Sequence, residues 1–150
     1  MNAVKSSSRH YVSYRLELLA RSVNEPVDRI YREKFGYDIR QLRVLRVIDE
    51  CPGRSVFVVV QESFLERSLV SRIISLFVRK KLVQRTISPN DARQYLLETT
   101  PAGNELVRQA DMLGEALNND FLDVLDSHEI EVFERCLVKL ANWRPGKQVA

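Results

Sequence analysis

Apolar residues fall at helical spacing through most of this chain. From Tyr11 to Phe35 they recur at Tyr11, Tyr14, Leu18, Val23, Val27 and Ile30 with Glu and Arg between them, the period of a helix that buries one face. Pro26 lies inside this run and predicts either a kink or a division into two helices. Gly36 marks its end. Asp38, with Gln41 three residues later, has the form of a capping box for a second helix, Ile39 to Glu50, which buries Leu42, Leu45 and Ile48. Cys51-Pro52-Gly53 is a turn signal.

The run Val56-Phe57-Val58-Val59-Val60 reads as a buried strand by residue type. Its short length and its place between two helices favour a helix over Ser55 to Phe64. Beyond it, Leu69, Val70, Ile73, Ile74, Phe77 and Val78 form one stripe of a helix, while Ser68, Ser71, Arg72, Ser75 and Arg79 line the opposite face. Leu82 to Ile87 and Gln94 to Thr99 predict two strands joined by Ser88-Pro89-Asn90-Asp91, whose residue types favour turns.

Thr100-Pro101 restarts a helix, with threonine as N-cap and proline in the first turn. Leu106, Ala110, Leu113, Leu117 and Phe121 then recur at spacings of three and four, as do Ile130, Phe133, Leu137 and Leu140 after an expected cap at Ser127. Two such helices carry more apolar surface than one small domain covers, which predicts pairing with a second copy. The expected fold is mainly α with a small β-hairpin.

Charge sharpens this picture. Glu66 to Arg93 holds seven Lys/Arg against two acids, a net of +5, whereas the whole chain carries +3. A short helix and a hairpin with concentrated positive charge suit the reading of a DNA duplex. From Asp111 to Glu134 there are eight acids and no Lys or Arg, a face expected to point away from DNA.

A length of 150 residues predicts one domain, or one with dimerisation arms, and 45% hydrophobic with 29% charged residues fits a soluble globular protein. Arg or Glu interrupts every apolar run before the ~20 residues that a membrane span needs. Met1 to Arg9 are polar and serine-rich without the apolar core of a signal peptide, so the expected location is cytoplasmic. Cys51, Cys136, His10 and His128 stand apart from ligand-spaced partners, so no metal, cofactor or catalytic set is predicted.

Five segments in order give a more specific pointer. They are Gln41-Leu42-Arg43-Val44-Leu45, Glu66-Arg67-Ser68-Leu69-Val70-Ser71-Arg72, Lys80-Lys81-Leu82-Val83, Pro89-Asn90-Asp91-Ala92-Arg93, and Leu97-Glu98-Thr99-Thr100-Pro101-Ala102-Gly103. With their spacing, the chain resembles the MarR family of transcription regulators over nearly its whole length. The resemblance implies a winged helix-turn-helix at about 39–99, flanked by dimerisation helices at about 8–35 and 101–144, in a single MarR-like domain over 1–150.

It further implies a ligand-responsive repressor that binds an inverted repeat in double-stranded DNA as a homodimer. Ser55 to Glu62 would be the first helix of the motif and Glu66 to Lys80 the recognition helix in the major groove. Arg67, Ser68, Ser71 and Arg72 would face bases or phosphates, with Ser75 and Arg79 continuing that face. Asn90 and Asp91 would stand at the wing tip, Asp91 holding by an ion pair the wing whose Arg93 turns to the minor groove. A small aromatic or acidic effector would lie between the dimerisation helices and the winged domain. Tyr11, Tyr14, Arg15 and Arg43 could stack its ring and pair its carboxylate, or equally serve as dimer core and surface charge.

Two features depart from the family pattern: Phe64 stands where the turn commonly has glycine, and Val56 to Val60 is unusually apolar. Phe64 at a left-handed position would be strained and could reshape the turn. The apolar run is extra core or a docking face. A winged-helix protein-interaction module and a thiol-based redox regulator are the alternative functions. The first predicts DNA binding that is absent or insensitive to salt, the second a response at Cys51 or Cys136.

Overall fold

The computed structural model describes residues 11–88 and 94–144, which form two compact units divided after Gly114. In the first unit, α1 runs unbroken from Val12 to Phe35, so Pro26 lies within one helix and does not divide it. Gly36, left-handed at φ 76°, ends it with its N–H on the Arg32 carbonyl. α2, Ile39–Glu50, starts on the expected capping box: the Asp38 carboxylate accepts from the Gln41 amide at 2.8 Å, and the Gln41 side chain accepts from the Asp38 amide at 2.7 Å. Its buried face includes Leu42, Leu45 and Ile48, together with Val44 and Val47.

The apolar run is a helix, α3, Val56–Ser63. Val59 is fully buried and Val56 and Val60 pack against the core, whereas Phe57 is 64% exposed. α4, Arg67–Arg79, buries Val70, Ile73, Ile74 and Phe77 against α2 and α3. It closes with Lys81 in the left-handed region at φ 58°, with the Leu82 N–H on the Phe77 carbonyl and the Lys81 N–H on that of Val78. That is the bond pattern of a Schellman cap, and Leu82 packs against the core that contains Phe77.

The sheet is antiparallel with order β1-β3-β2. β2, Val83–Ile87, pairs with β3, Tyr95–Thr99, from Val83↔Thr99 to Ile87↔Tyr95. Sequence reading missed β1, Arg54–Ser55, a two-residue strand paired with Leu97 and Leu96 of β3. α5 spans Pro101–Leu122, and the Thr100 hydroxyl accepts from the Gly103 amide as its N-cap. The same hydroxyl donates to the Lys81 carbonyl at 2.7 Å, and the Thr100 amide donates to the Leu82 carbonyl at 2.9 Å. Asp49 of α2 accepts from Thr99 at 2.7 Å and from Asn104, tying α2 to the end of β3 and the first turn of α5.

A second core joins Tyr31, Leu42 and Ala110, where α1, α2 and α5 meet. Tyr31 donates to the Ala110 carbonyl and accepts from Arg46, which pairs with Asp111. Burial lowers the Arg46 pKa, but the bonds to Tyr31 and Asp111 outweigh it and hold the guanidinium above its ordinary value.

The second unit holds the rest of α5 and α6, Ser127–Ala141. Its cap is Asp126, not Ser127: the Asp126 carboxylate accepts from the Glu129 amide at 2.9 Å, and the Glu129 carboxylate accepts from the Asp126 amide at 2.9 Å. A carboxylate at N-cap also meets the positive end of the helix dipole, which the hydroxyl of Ser127 cannot match. α6 buries no residue of its own, and Leu137, Val138 and Leu140, with Trp143 just beyond, are exposed.

Candidate nucleic-acid interface

α4 presents the residues singled out by periodicity on one solvent-facing side. Arg67, Ser68, Ser71, Arg72, Ser75 and Arg79 are all exposed, opposite the buried Val70, Ile73, Ile74 and Phe77. The reason is the helical period itself: residues three and four apart share a face, and Leu69, Val70, Ile73, Ile74, Phe77 and Val78 are turned to the core.

Among the described residues, Arg32, Arg40, Arg46, Arg54, Arg108 and Arg135 each pair with a carboxylate. Arg67, Arg72, Arg79, Lys80 and Lys81 have no such partner there. Cations without a carboxylate partner among the described residues also occur elsewhere, at Arg15, Arg21 and Arg29 of α1 for example, but on and just after α4 five of them fall within fifteen residues. Their charge is therefore not cancelled within the described chain, which is what an anionic duplex requires of the surface that meets it.

In the sequence Arg85 stands out only as charge, yet in the structure it bridges the hairpin and the helix. From β2 it donates to the Ser75 hydroxyl at 3.3 Å and lies 6.0 Å over the Tyr95 ring. Ser75 in turn donates to the Ser71 carbonyl. Its hydroxyl is thus held by the protein, and its role is to join α4 to the hairpin as much as to face outward. The signal that could have revealed this is the hairpin register, which sets Arg85 diagonally from Tyr95. A cavity of about 460 Å³ opens beside this bridge, lined by Ser55, Val56 and Phe57 of the α3 start, Arg67 and Ser71 of α4, and Gln94 and Tyr95.

The turn into α4 keeps its left-handed residue although that residue is phenylalanine. Phe64 takes φ 54°, ψ 36° and is 89% exposed. Phe64 therefore takes the left-handed conformation itself, and a bulky L residue in this region costs about 1–2 kcal/mol. Its neighbours are pinned: Ser63 is fully buried, Leu65 packs on the core, and Arg43 donates to the Ser63 carbonyl at 3.5 Å.

Asn90, Asp91 and Arg93 lie outside the described residues. The hairpin that leads to them is regular as far as Ser88, whose amide donates to the Gln94 carbonyl at 2.9 Å. The four effector candidates are not gathered into one pocket of the described chain. Tyr11 caps α1, Tyr14 is half-buried, and Arg15 lies in a shallow cavity of about 340 Å³ with Val12, Leu16 and Leu19. Arg43 instead supports the end of α3. Cys51 is half-buried and Cys136 exposed, and both are free thiols. Among the described residues no helix is long and apolar enough to cross a membrane.

Comparison with known proteins agrees with this architecture. The sequence pattern of the MarR family matches residues 35–94, which take in α2, α3, α4, β2 and the start of the wing. The transcriptional regulator HosA of Escherichia coli O111:H- is 24% identical over 102 residues, which cover 68% of this chain and 76% of HosA. Among solved structures, BpsR of Bordetella bronchiseptica, whose DNA binding is regulated by 6-hydroxynicotinic acid, superposes with TM-score 0.82 at 19% identity. That match covers 92% of this chain and 98% of BpsR. Wild-type MarR of Escherichia coli in its apo form gives TM-score 0.77 at 20% identity, covering 87% and 96%. With the helix-turn-helix, the three-stranded sheet and the long helices in place, the chain has the winged helix-turn-helix fold of the MarR transcription regulators, and its residues 35–94 match that family's pattern.

Proposed function

We propose that the chain is a cytoplasmic, sequence-specific regulator that binds an inverted-repeat operator as a homodimer and releases it on binding a small aromatic or acidic effector. The observation that carries the DNA reading is the row of uncancelled cations on the exposed face of α4, beside a hairpin braced to it by Arg85. In this reading Arg67, Ser68, Ser71 and Arg72 meet base edges or phosphates in the major groove, Ser75 and Arg79 continue the contact, and Asn90, Asp91 and Arg93 serve the wing tip. Guanidinium groups suit the work because they fork onto guanine O6 and N7 or onto a phosphate.

Pairing is supported by exposed apolar side chains at both ends of the chain: Tyr11, Val12, Leu16, Leu18 and Leu19 on α1, and Leu137, Val138 and Leu140 on α6. Residues about 8–35 and 101–144 are assigned to dimerisation and about 39–99 to the winged domain, in one functional domain over 1–150. Two recognition helices about 34 Å apart then meet successive major grooves. The regulation of BpsR by 6-hydroxynicotinic acid supports an effector of that class, for which Tyr11, Tyr14, Arg15 and Arg43 are the candidates. Such a ligand acts only by binding one arrangement of the dimer better than another.

Selection from a random duplex pool tests this directly. The expected outcome is a palindromic site, bound two protomers per duplex, with log affinity falling linearly against log salt at a slope of about −0.9 per phosphate contacted. A monomer in solution, or a protein indifferent to duplex DNA at low salt, refutes it.

A further inference from the structure

Phe64 is the most exposed of the large apolar side chains in the described chain, and it occupies a backbone conformation that L residues seldom adopt. Nothing inside the described protein accounts for either property. It makes no ring contact, and it is absent from both core clusters although Leu65 beside it packs on the first. Residues held in such conformations concentrate where a binding partner uses them.

Its position names the partner. Phe64 stands two residues before Glu66, the N-cap of α4, and the next exposed side chains along the chain are Glu66, Arg67 and Ser68. Recognition helices touch base edges chiefly through their first turns. The polar side chains there provide hydrogen bonds and charge, but none offers an apolar surface. The major groove displays one apolar group, the 5-methyl of thymine. The buried Ser63 and the core-packed Leu65 fix the backbone on both sides, so the ring is presented at a set place and not as part of a loose loop.

We infer that Phe64 is a specificity-determining residue that packs on the 5-methyl group of one thymine in each half-site. This rests on the DNA-binding reading above and adds a contact that the arginines and serines do not make.

The experiment uses the full-length dimer and a duplex recovered by selection, in which each thymine is replaced singly by deoxyuridine, which lacks only the methyl. Wild type should lose about four-fold in affinity per half-site at one symmetry-related position, the effect of one buried methyl at about 0.8 kcal/mol. The Phe64→Ala dimer should bind the thymine duplex more weakly and be indifferent to deoxyuridine at that position. Phe64→Gly, which suits the left-handed backbone, should show the same indifference with a melting temperature no lower than wild type, so misfolding is separated from lost contact.

Wild-type binding that is unaffected by every deoxyuridine overturns this inference while leaving the DNA-binding reading intact. So does a Phe64→Ala dimer as sensitive as wild type, or a change of oligomeric state on that substitution. No binding to any duplex at low salt removes both.

Discussion

Gly103→Ala tests whether the root of the wing is as tightly built as the structure indicates. A methyl carbon added at Gly103 would overlap the Leu82 carbonyl oxygen and stand 3.1 Å from its carbon and 3.3 Å from the Thr99 Cβ. The oxygen cannot swing away freely, because it accepts the Thr100 amide at 2.9 Å. Overpacking against backbone costs about 1–3 kcal/mol, and loss of that hydrogen bond adds about 1 kcal/mol. Alanine's helix propensity returns up to about 1 kcal/mol. The net loss is about 2 kcal/mol, a fall in melting temperature of about 4–8 °C for a chain of this size. Gly114→Ala is the milder comparison: its added carbon meets side-chain atoms and not backbone, the Tyr31 hydroxyl at 2.8 Å and the Arg46 Nη2 at 3.6 Å, so the buried Tyr31 must shift on its bond to Ala110 and a smaller loss is expected. Thermal and urea unfolding of both variants are the assays. A Gly103→Ala protein as stable as wild type would refute the reasoning, because propensity alone would then govern the site.

Arg72→Ala should cost about 1–3 kcal/mol in operator affinity and relax base preference, as loss of a forked base contact does. Arg93→Ala should instead weaken binding mainly to sites with a narrow A·T-rich minor groove; competition assays with paired operators read both. Asp28 links α1 to α2 through bonds from Arg32 at 2.8 Å and the Ile39 amide at 2.9 Å. Burial raises its pKa, but these bonds outweigh that and hold it below the usual aspartate value. Its stabilisation is therefore complete above the ordinary aspartate range and lost as pH falls through and below it. Asp28→Asn should lower the melting temperature at neutral pH and flatten its decline in acid, most visibly at low salt.

Local signals carried much of the fold. The Asp38–Gln41 box, the turn at Gly53 and the two-sided pattern of α4 each depend on residues within one or two turns, and the structure has them where the sequence places them. Departures had different causes. β1 exists only because β3 lies alongside it, and two residues carry no period of their own. Pro26 does not divide α1, since a proline removes one bond from a ladder that its neighbours can sustain. At α6, Asp126 and Ser127 are adjacent and both favour N-caps, so only the returned bond from Glu129 separates them.

The interface was legible in the same uneven way. The exposed face of α4 follows from its period, but the Arg85–Ser75 bridge depends on how the hairpin folds back on the helix. The grouping of Tyr11, Tyr14, Arg15 and Arg43 was drawn from likeness alone, and Arg43 has a local task at the end of α3.

Thr100 binds the carbonyls of both Lys81 and Leu82 while opening α5, and this sets how motion can travel. Where α4 stops, the hairpin starts and α5 begins are three parts of one rivet, without slack between them. Any tilt of the first turn of α5 is thus shared by the end of α4 and the start of the hairpin. In the DNA-binding reading proposed above, a signal arriving at the first turn of α5 would therefore move the helix and the hairpin together.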